Sequence, residues 1–329
     1  MQVSIIGTGS YVPERVLTNE DLEGMVETSD AWIRERTGIG SRRITEAGTT
    51  DMAVRAAKQA MEMAELSPEE LDLIVVGTST GDCLFPGTAC EVQAALGAER
   101  AACFDLSAAC SGFLFSLNTA CVYLGSGVYR TALVVGADTL SKTVDWSDRG
   151  TCILFGDGAG AVVLGREKAE MPVSRVGPFL MRADGSRGDA LCCTATPLRN
   201  PFIREEILQE KADFGYLSMN GQEVFRFAVK TVPEALEELL KGAGVSAEEI
   251  RYFVLHQANE RIIASVAKRM KQPISKFPMN LGRYGNTSGA SIPILLDELN
   301  REGKLRRGDK IALAGFGAGL TWGATFLVW

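Results

Sequence analysis

The sequence predicts an α/β fold assembled from two like halves. Three apolar runs with little alternation, Leu73-Ile74-Val75-Val76, Ala132-Leu133-Val134-Val135 and Phe253-Val254-Leu255, read as buried strands of a parallel sheet. Segments of helical periodicity lie between them, at about 51–64, 88–96, 110–124, 221–242, 259–270 and 289–301. Strands alternating with helices of this length are the pattern of βαβ units. The plan also repeats. Leu71–Thr80 reads as a strand ending in small polar residues, and Ile250–Asn259 does the same. The first half closes on Gly156-Asp157-Gly158-Ala159-Gly160 and a strand to Leu164. The second closes on Ile311-Ala312-Leu313-Ala314, the turn Gly315-Phe316-Gly317-Ala318-Gly319 and a strand to Trp329. The boundary falls near 170, and 182–218, rich in turn residues and charges, reads as a loop insertion.

Gly7-Thr8-Gly9 and Gly315-Phe316-Gly317 each begin like a dinucleotide fingerprint, but Val12 and Leu320 stand where the third glycine belongs. A tight turn, or close approach of the backbone to a ligand, is the better reading of both.

Bulk properties narrow the chemistry. With 46% hydrophobic and 23% charged residues, the 329-residue chain is composed like a soluble enzyme with a large core. No apolar run reaches the roughly 18 residues that cross a bilayer. The opening Met1-Gln2-Val3-Ser4-Ile5-Ile6-Gly7 lacks the basic and apolar regions of a signal peptide and reads as a first strand. A net charge of −7 argues against general nucleic-acid binding, though a local basic patch could recruit an acidic partner. The eight cysteines include no C-x-x-C pair, which removes support for zinc ribbons and thioredoxin-type sites. A disulfide scaffold is not expected in a chain this long, so a reducing, cytoplasmic compartment is. The single histidine excludes a His₂ or His₃ metal site within one chain, and any machinery needing two imidazoles from one subunit. No metal site is expected.

Three residues carry the chemistry. Cys110 stands in Asp105-Leu106-Ser107-Ala108-Ala109-Cys110-Ser111-Gly112-Phe113, where an apolar strand ends, small residues turn and an apolar helix begins. A thiol in the first helical turn faces unpaired N–H groups and the positive end of the dipole, so a thiolate nucleophile is expected. His256 follows Val254-Leu255 at the carboxyl end of a buried strand, where α/β sheets place their ligands. Asn286 lies in Tyr284-Gly285-Asn286-Thr287-Ser288-Gly289-Ala290-Ser291, a turn leading into a helix; by itself it reads as a cap or turn residue.

In these contexts the chain resembles the thiolase-fold condensing enzymes, most closely the β-ketoacyl-acyl-carrier-protein synthase III family, nearly end to end. The matching stretches include Trp32-Ile33-Arg34-Glu35-Arg36-Thr37-Gly38-Ile39, Ala108 to Phe113, Phe155 to Ala161, His256-Gln257-Ala258-Asn259, Gly285-Asn286-Thr287-Ser288 and Gly315 to Gly323. Elongating synthases and thiolases pair the cysteine with two histidines, which this chain cannot supply. The resemblance implies a thiolase-like fold: two similar βαβαβαββ halves, residues 1–170 with the nucleophile and 171–329 with His256 and Asn286, in a layered α-β-α-β-α core. It implies that acyl-CoA acylates Cys110 and that malonyl-acyl carrier protein then condenses with loss of CO₂, as in the first step of type II fatty acid synthesis. It assigns an oxyanion hole to the backbone N–H groups of Cys110 and Ala318, the latter where the family often has glycine. Thr28, Trp32, Arg36 and Arg149 are expected to hold CoA, the substrate carrier, with Trp32 and Arg149 sandwiching its adenine; no separate cofactor is implied. Phe85 occupies the position that caps the acyl pocket across a homodimer interface. Arg226, Arg261, Lys268 and Arg269, with Lys230 beside them, form the expected docking face for an acidic carrier protein. Two alternatives remain: a Cys/His/Asn condensing enzyme of the chalcone-synthase or hydroxymethylglutaryl-CoA-synthase kind, using CoA-bound extender, and a catalytically silent acyl-CoA-binding protein.

Overall fold

A computed structural model describes residues 2–167, 174–194 and 215–329. The first sheet contains β1 (Gln2–Tyr11), β2 (Leu73–Gly77), β3 (Ala102–Leu106), β4 (Thr131–Asp138) and β5 (Gly158–Glu167) in the order β1-β5-β4-β2-β3. Strands β4, β2 and β3 run parallel, and β5 pairs antiparallel with both β4 and β1. The second sheet contains β6 (Arg175–Ala183), β7 (Tyr252–Leu255), β8 (Lys310–Gly317) and β9 (Thr321–Val328) in the order β6-β9-β8-β7. That order, with β7 and β8 parallel and the rest antiparallel, repeats β1-β5-β4-β2. Among the described residues β3 has no counterpart. The corresponding stretch is Phe277-Pro278-Met279, and proline has no N–H for a ladder. The boundary expected near 170 lies outside the described residues.

The longer helices are α1 (Asp30–Thr37), α2 (Thr49–Met63), α3 (Thr88–Leu96), α4 (Gly112–Ser126), α5 (Gly221–Ala243), α6 (Glu260–Arg269) and α7 (Ser291–Arg301). Helices α2 and α3 cover the outer face of the first sheet with Ala53, Ala56, Ala60 and Val92, and α5 and α6 cover the second with Phe227, Leu236 and Val266. Between the sheets lie α4 and α7, whose Phe113, Leu117, Leu295 and Leu299 share one core with Val75, Val134, Val254 and Leu313. Sheets on both sides explain why α4 is apolar around most of its circumference. The result is α-β-α-β-α. Entry into equivalent strands is also repeated: Ser67-Pro68-Glu69-Glu70 before β2 and Ser246-Ala247-Glu248-Glu249 before β7 each close a capping box on a single 3₁₀ turn.

Two expectations change. Gly7-Thr8-Gly9 is not a turn; it lies inside β1. A Cβ on Gly7 or Gly9 would fall 2.2 Å from the carbonyl oxygen of Ala60 or Ala56, so these glycines let α2 pack directly on the strand, and the close approach is to a helix rather than a ligand. The segment 182–218 is also less of a loop than expected. Residues 182 and 183 end β6, and Leu191–Cys193 pairs antiparallel with Leu217–Met219; residues 195–214 lie outside the described residues.

Candidate active site

The middle layer creates the site, because α4 and α7 bring their N-terminal ends together. Each is preceded by a 3₁₀ turn, Ala109–Ser111 and Ser288–Ala290, and each turn begins with a non-glycine residue in the left-handed region, Ala109 at φ 45° and Ser288 at φ 52°. Such backbone is held only where its surroundings fix it, and it concentrates at functional sites. The first turn presents Cys110. The end of β8 crosses it so closely that a Cβ on Gly317 would lie 2.7 Å from the Cys110 nitrogen, which brings Gly317 and the next residue, Ala318, beside the nucleophile.

Cys110 is 8% exposed. Burial pushes its thiol up to about 12; the Ser288 hydroxyl, 3.4 Å from Sγ, acts against this, and the buried Asp138 carboxylate reinforces it. The resting group is therefore a thiol. Desolvation thus opposes the thiolate that the helix terminus favours.

His256 leaves the end of β7 and is buried. Burial lowers it to about 3, so the imidazole is neutral across the physiological range. Its Nδ1 lies 2.8 Å from Ser291 Oγ, which also accepts the Gln257 N–H at 3.3 Å. The contact orients the ring and is compatible with either neutral tautomer, since a hydroxyl can accept two hydrogen bonds or donate one. Phe316 packs edge-on against the ring at 5.3 Å between centroids.

Asn286 is clamped through its backbone: its N–H donates to the Leu154 carbonyl at 2.8 Å, and its carbonyl accepts from Gly156 N–H at 3.0 Å. Buried Arg42 holds the neighbouring Ile153 carbonyl at 2.7 Å. The Asn286 Oδ1 accepts the Ser288 N–H at 2.9 Å, so its NH₂ faces away from that turn.

Cys110, His256 and Asn286, remote in sequence, line one cavity of about 720 Å³ together with Phe316 and Gly317. Trp32, Arg36, Arg226 and Arg261 line it too, whereas Thr28, Arg149, Ala318, Phe85, Lys268 and Arg269 do not. The Thr28 hydroxyl is buried with no hydrogen-bond partner among the described residues. The Arg149 guanidinium lies on Trp32 itself, 4.9 Å from the ring centroid, with Arg36 at 5.6 Å. The expected sandwich is thus closed, and adenine could stack on that ring face only after Arg149 moves off. Phe85 is 85% exposed beside similarly exposed Leu84, and neither lines the cavity. The basic set divides as well. Arg226 joins Lys230 in a neighbouring cleft of about 380 Å³, and Arg269 is paired with Glu234 at 2.9 Å, so it contributes less free charge than its type suggests.

Ser288, Ser291 and Asp138 were given no role by the sequence. The signal for the first two was a run of hydroxyls immediately before an apolar helix; for Asp138 it was an acid ending a buried strand. Among the described residues no group of three or more His, Cys, Asp or Glu could hold a metal ion, and no helix is long and apolar enough to cross a membrane.

The model for 3-oxoacyl-[acyl-carrier-protein] synthase III matches residues 104–185, and the model for its C-terminal part matches residues 240–329. The chain is 50% identical over 328 residues to the β-ketoacyl-[acyl-carrier-protein] synthase III of Clostridium acetobutylicum, covering 99% of this chain and 98% of the relative. It is 49% identical to the Synechococcus elongatus protein of the same name over 330 residues, covering 99% and 97%. The crystal structure of 3-oxoacyl-[acyl-carrier-protein] synthase III from Aquifex aeolicus VF5 superposes with a TM-score of 0.91 at 47% identity, covering 99% of this chain and all of the other. On end-to-end sequence and fold alike, this chain belongs to the 3-oxoacyl-[acyl-carrier-protein] synthase III family.

Proposed function

We propose that the chain takes an acyl group from acyl-CoA onto Cys110 and condenses it with malonyl-acyl carrier protein, giving a 3-oxoacyl-acyl carrier protein. The observation that carries this is the convergence of a buried thiol, a neutral imidazole and a carboxamide NH₂ on one cavity. In the first step sulfur attacks the acyl thioester carbon, and the bond to the CoA sulfur breaks. The N–H groups of Cys110 and Ala318 stabilise the transient oxyanion. In the second, the malonyl C–C bond breaks, CO₂ leaves, and the electron pair moves onto the thioester oxygen as an enolate. His256 Nε2–H and the Asn286 NH₂ donate to that oxygen. A neutral donor is suited to this role, because it stabilises developing charge without protonating the carbon that must next attack the acyl-cysteine. The cavity's apolar lining, including Phe316, keeps water from the acyl-enzyme.

Trp32, Arg36, Arg149 and Thr28 receive CoA at the cavity, with Arg149 swinging from Trp32. Phe85 reaches a second copy in a homodimer and caps its acyl pocket, which accounts for an aromatic ring left in water. No added cofactor takes part, and the reduced cysteines suit the cytoplasm. The product is a 3-oxoacyl-acyl carrier protein, and not a 3-oxoacyl-CoA, only if the extender is carrier-bound. Acetyl-, propionyl- and branched acyl-CoA should therefore be tested in parallel with malonyl-carrier protein and malonyl-CoA. Condensation at comparable rates with malonyl-CoA would replace the carrier-protein reading with a CoA-based one.

Arg226, Arg261, Lys268 and Arg269 dock the carrier protein. Reversing Arg261 and Lys268 to glutamate is expected to raise KM for malonyl-carrier protein about tenfold and leave acylation by acyl-CoA within about twofold. Equal losses in both half-reactions would remove the docking role.

A further inference from the structure

Ser288 begins the 3₁₀ turn at the head of α7, and its buried hydroxyl donates to Cys110 Sγ at 3.4 Å. Among the described residues this is the one side-chain hydrogen bond that reaches the sulfur. The turn that presents the hydroxyl is firmly held. The Ser288 N–H donates to Asn286 Oδ1 at 2.9 Å, the Gly289 N–H donates to Asp138 Oδ2 at 3.3 Å, and the Ala290 N–H closes on the Thr287 carbonyl at 3.1 Å. Ser288 also holds φ 52°, where glycine would sit with less strain, so the turn keeps a hydroxyl against backbone preference.

Burial removes water from Cys110, so protein donors must replace it around any charge on sulfur. The buried Asp138 carboxylate works the other way and disfavours negative charge there. His256 lines the same cavity, but among the described residues no hydrogen bond joins it to Cys110. A hydrogen bond to sulfur is weak while sulfur is a thiol or a thioester and strengthens when it becomes a thiolate. A donor fixed on this atom therefore binds the charged sulfur better than the neutral one, and that difference lowers a barrier.

We propose that the Ser288 hydroxyl is a catalytic hydrogen-bond donor to the Cys110 sulfur, stabilising its negative charge when it attacks acyl-CoA and when it is expelled in condensation; this rests on reading Cys110 as the acyl acceptor. In acylation the S–H proton passes to solvent as sulfur bonds to the acyl carbon. The acyl bond to the CoA sulfur breaks, and CoA leaves as a thiolate that takes a proton from solvent. In condensation the enolate carbon bonds to the acyl carbon, the bond from that carbon to the Cys110 sulfur breaks, and the electron pair stays on sulfur. Ser288 donates to this thiolate until solvent returns a proton, the one consumed per turnover when a malonyl carboxylate leaves as CO₂. One residue thus serves both partners of the new bond: its hydroxyl meets the leaving sulfur, and its N–H sets the Asn286 amide that meets the enolate oxygen.

Ser288→Gly and Ser288→Ala each remove the hydroxyl and keep the N–H. Glycine accepts the backbone angle, which keeps the test sound even if Ser288→Ala does not fold. Alkylation of Cys110 by iodoacetamide from pH 7 to 9, read by peptide mass spectrometry, needs no CoA and reports the sulfur alone. Both variants are expected to alkylate about three- to fivefold more slowly than wild type, an about tenfold smaller thiolate fraction being partly offset by a more nucleophilic sulfur. Acylation by labelled acetyl-CoA should slow by about tenfold. Once the variants are acylated, CO₂ release from malonyl-carrier protein should stay within about threefold of wild type while the 3-oxoacyl product formed per CO₂ falls, because only the expulsion of sulfur is hindered. Alkylation and acylation both within about twofold of wild type, a loss in only one of the two, or an unchanged yield of product per CO₂ overturns the proposal. If wild-type Cys110 is alkylated but gathers no acetyl label, the functional reading fails and takes the catalytic role with it, while slower alkylation of the variants would still show the hydroxyl on the sulfur.

Discussion

Cys110→Ser is expected to retain no labelled acyl group from acyl-CoA on the time scale of wild-type turnover, with acylation slowed by about 10³-fold or more. The substitution is nearly isosteric, and the turn at Ala109 that aims the side chain is unaffected, so the fold should survive. What is lost is nucleophilicity. An alcohol is a far weaker nucleophile than a thiol unless a strong base takes its proton, and among the described residues no hydrogen bond joins His256 to Cys110. Mass spectrometry of the intact protein after brief exposure to acetyl-CoA reads the result. Acylation of the Cys110→Ser variant at the wild-type rate would falsify the assignment of the nucleophile.

His256→Ala separates the two half-reactions. It should acylate within about threefold of wild type and release CO₂ from malonyl-carrier protein about 10²- to 10³-fold more slowly, the usual loss for one oxyanion donor. Trapping the released CO₂ from labelled malonyl-carrier protein measures it, and normal release contradicts the role given to the imidazole. The same residue shapes stability against pH. Its pKa falls from 6.5 to about 3 on folding, so between those values the unfolded chain binds more protons than the native one. Stability is therefore lost as pH falls through that window. The alanine variant should lose less over the same range when unfolded by urea at about pH 6.5 and about pH 4.

The elements were legible because their burial is written into periodicity. The helix expected at 51–64 is Thr49–Met63, that at 88–96 is Thr88–Leu96, and that at 221–242 is Gly221–Ala243 despite Pro233 within it. A chain that alternates buried strands and amphipathic helices leaves little freedom in where they begin. Cys110 and His256 stood out for a related reason, since each sits where an apolar run stops and a turn starts, whereas Asn286 stood out only through the family resemblance. The protonation state of Cys110 was not legible. A helix terminus is visible in sequence, but the sheets on either side, which remove water from it, are not. Ser288 and Asp138 escaped because their meaning is relational: neither is unusual alone, and only the fold brings the Ser288 hydroxyl to Cys110 and the Gly289 N–H to the Asp138 carboxylate. The glycines of β1 misled for the opposite reason, since one dipeptide spacing serves both a turn and a strand pressed against a helix.

The twin 3₁₀ turns at the heads of α4 and α7 make the two halves interdependent. They occupy equivalent places in the two similar halves and pack against each other. One turn bears the sulfur at Cys110 and the other bears Gly289, where the chain is bare enough for the Ala109 carbonyl to come within 3.4 Å of the place a side chain would take. The second half has no nucleophile at that position and brings His256 and Asn286 to the cavity instead. Neither half retains a complete reaction centre, and parting the two layers would silence the chemistry while leaving each sheet intact.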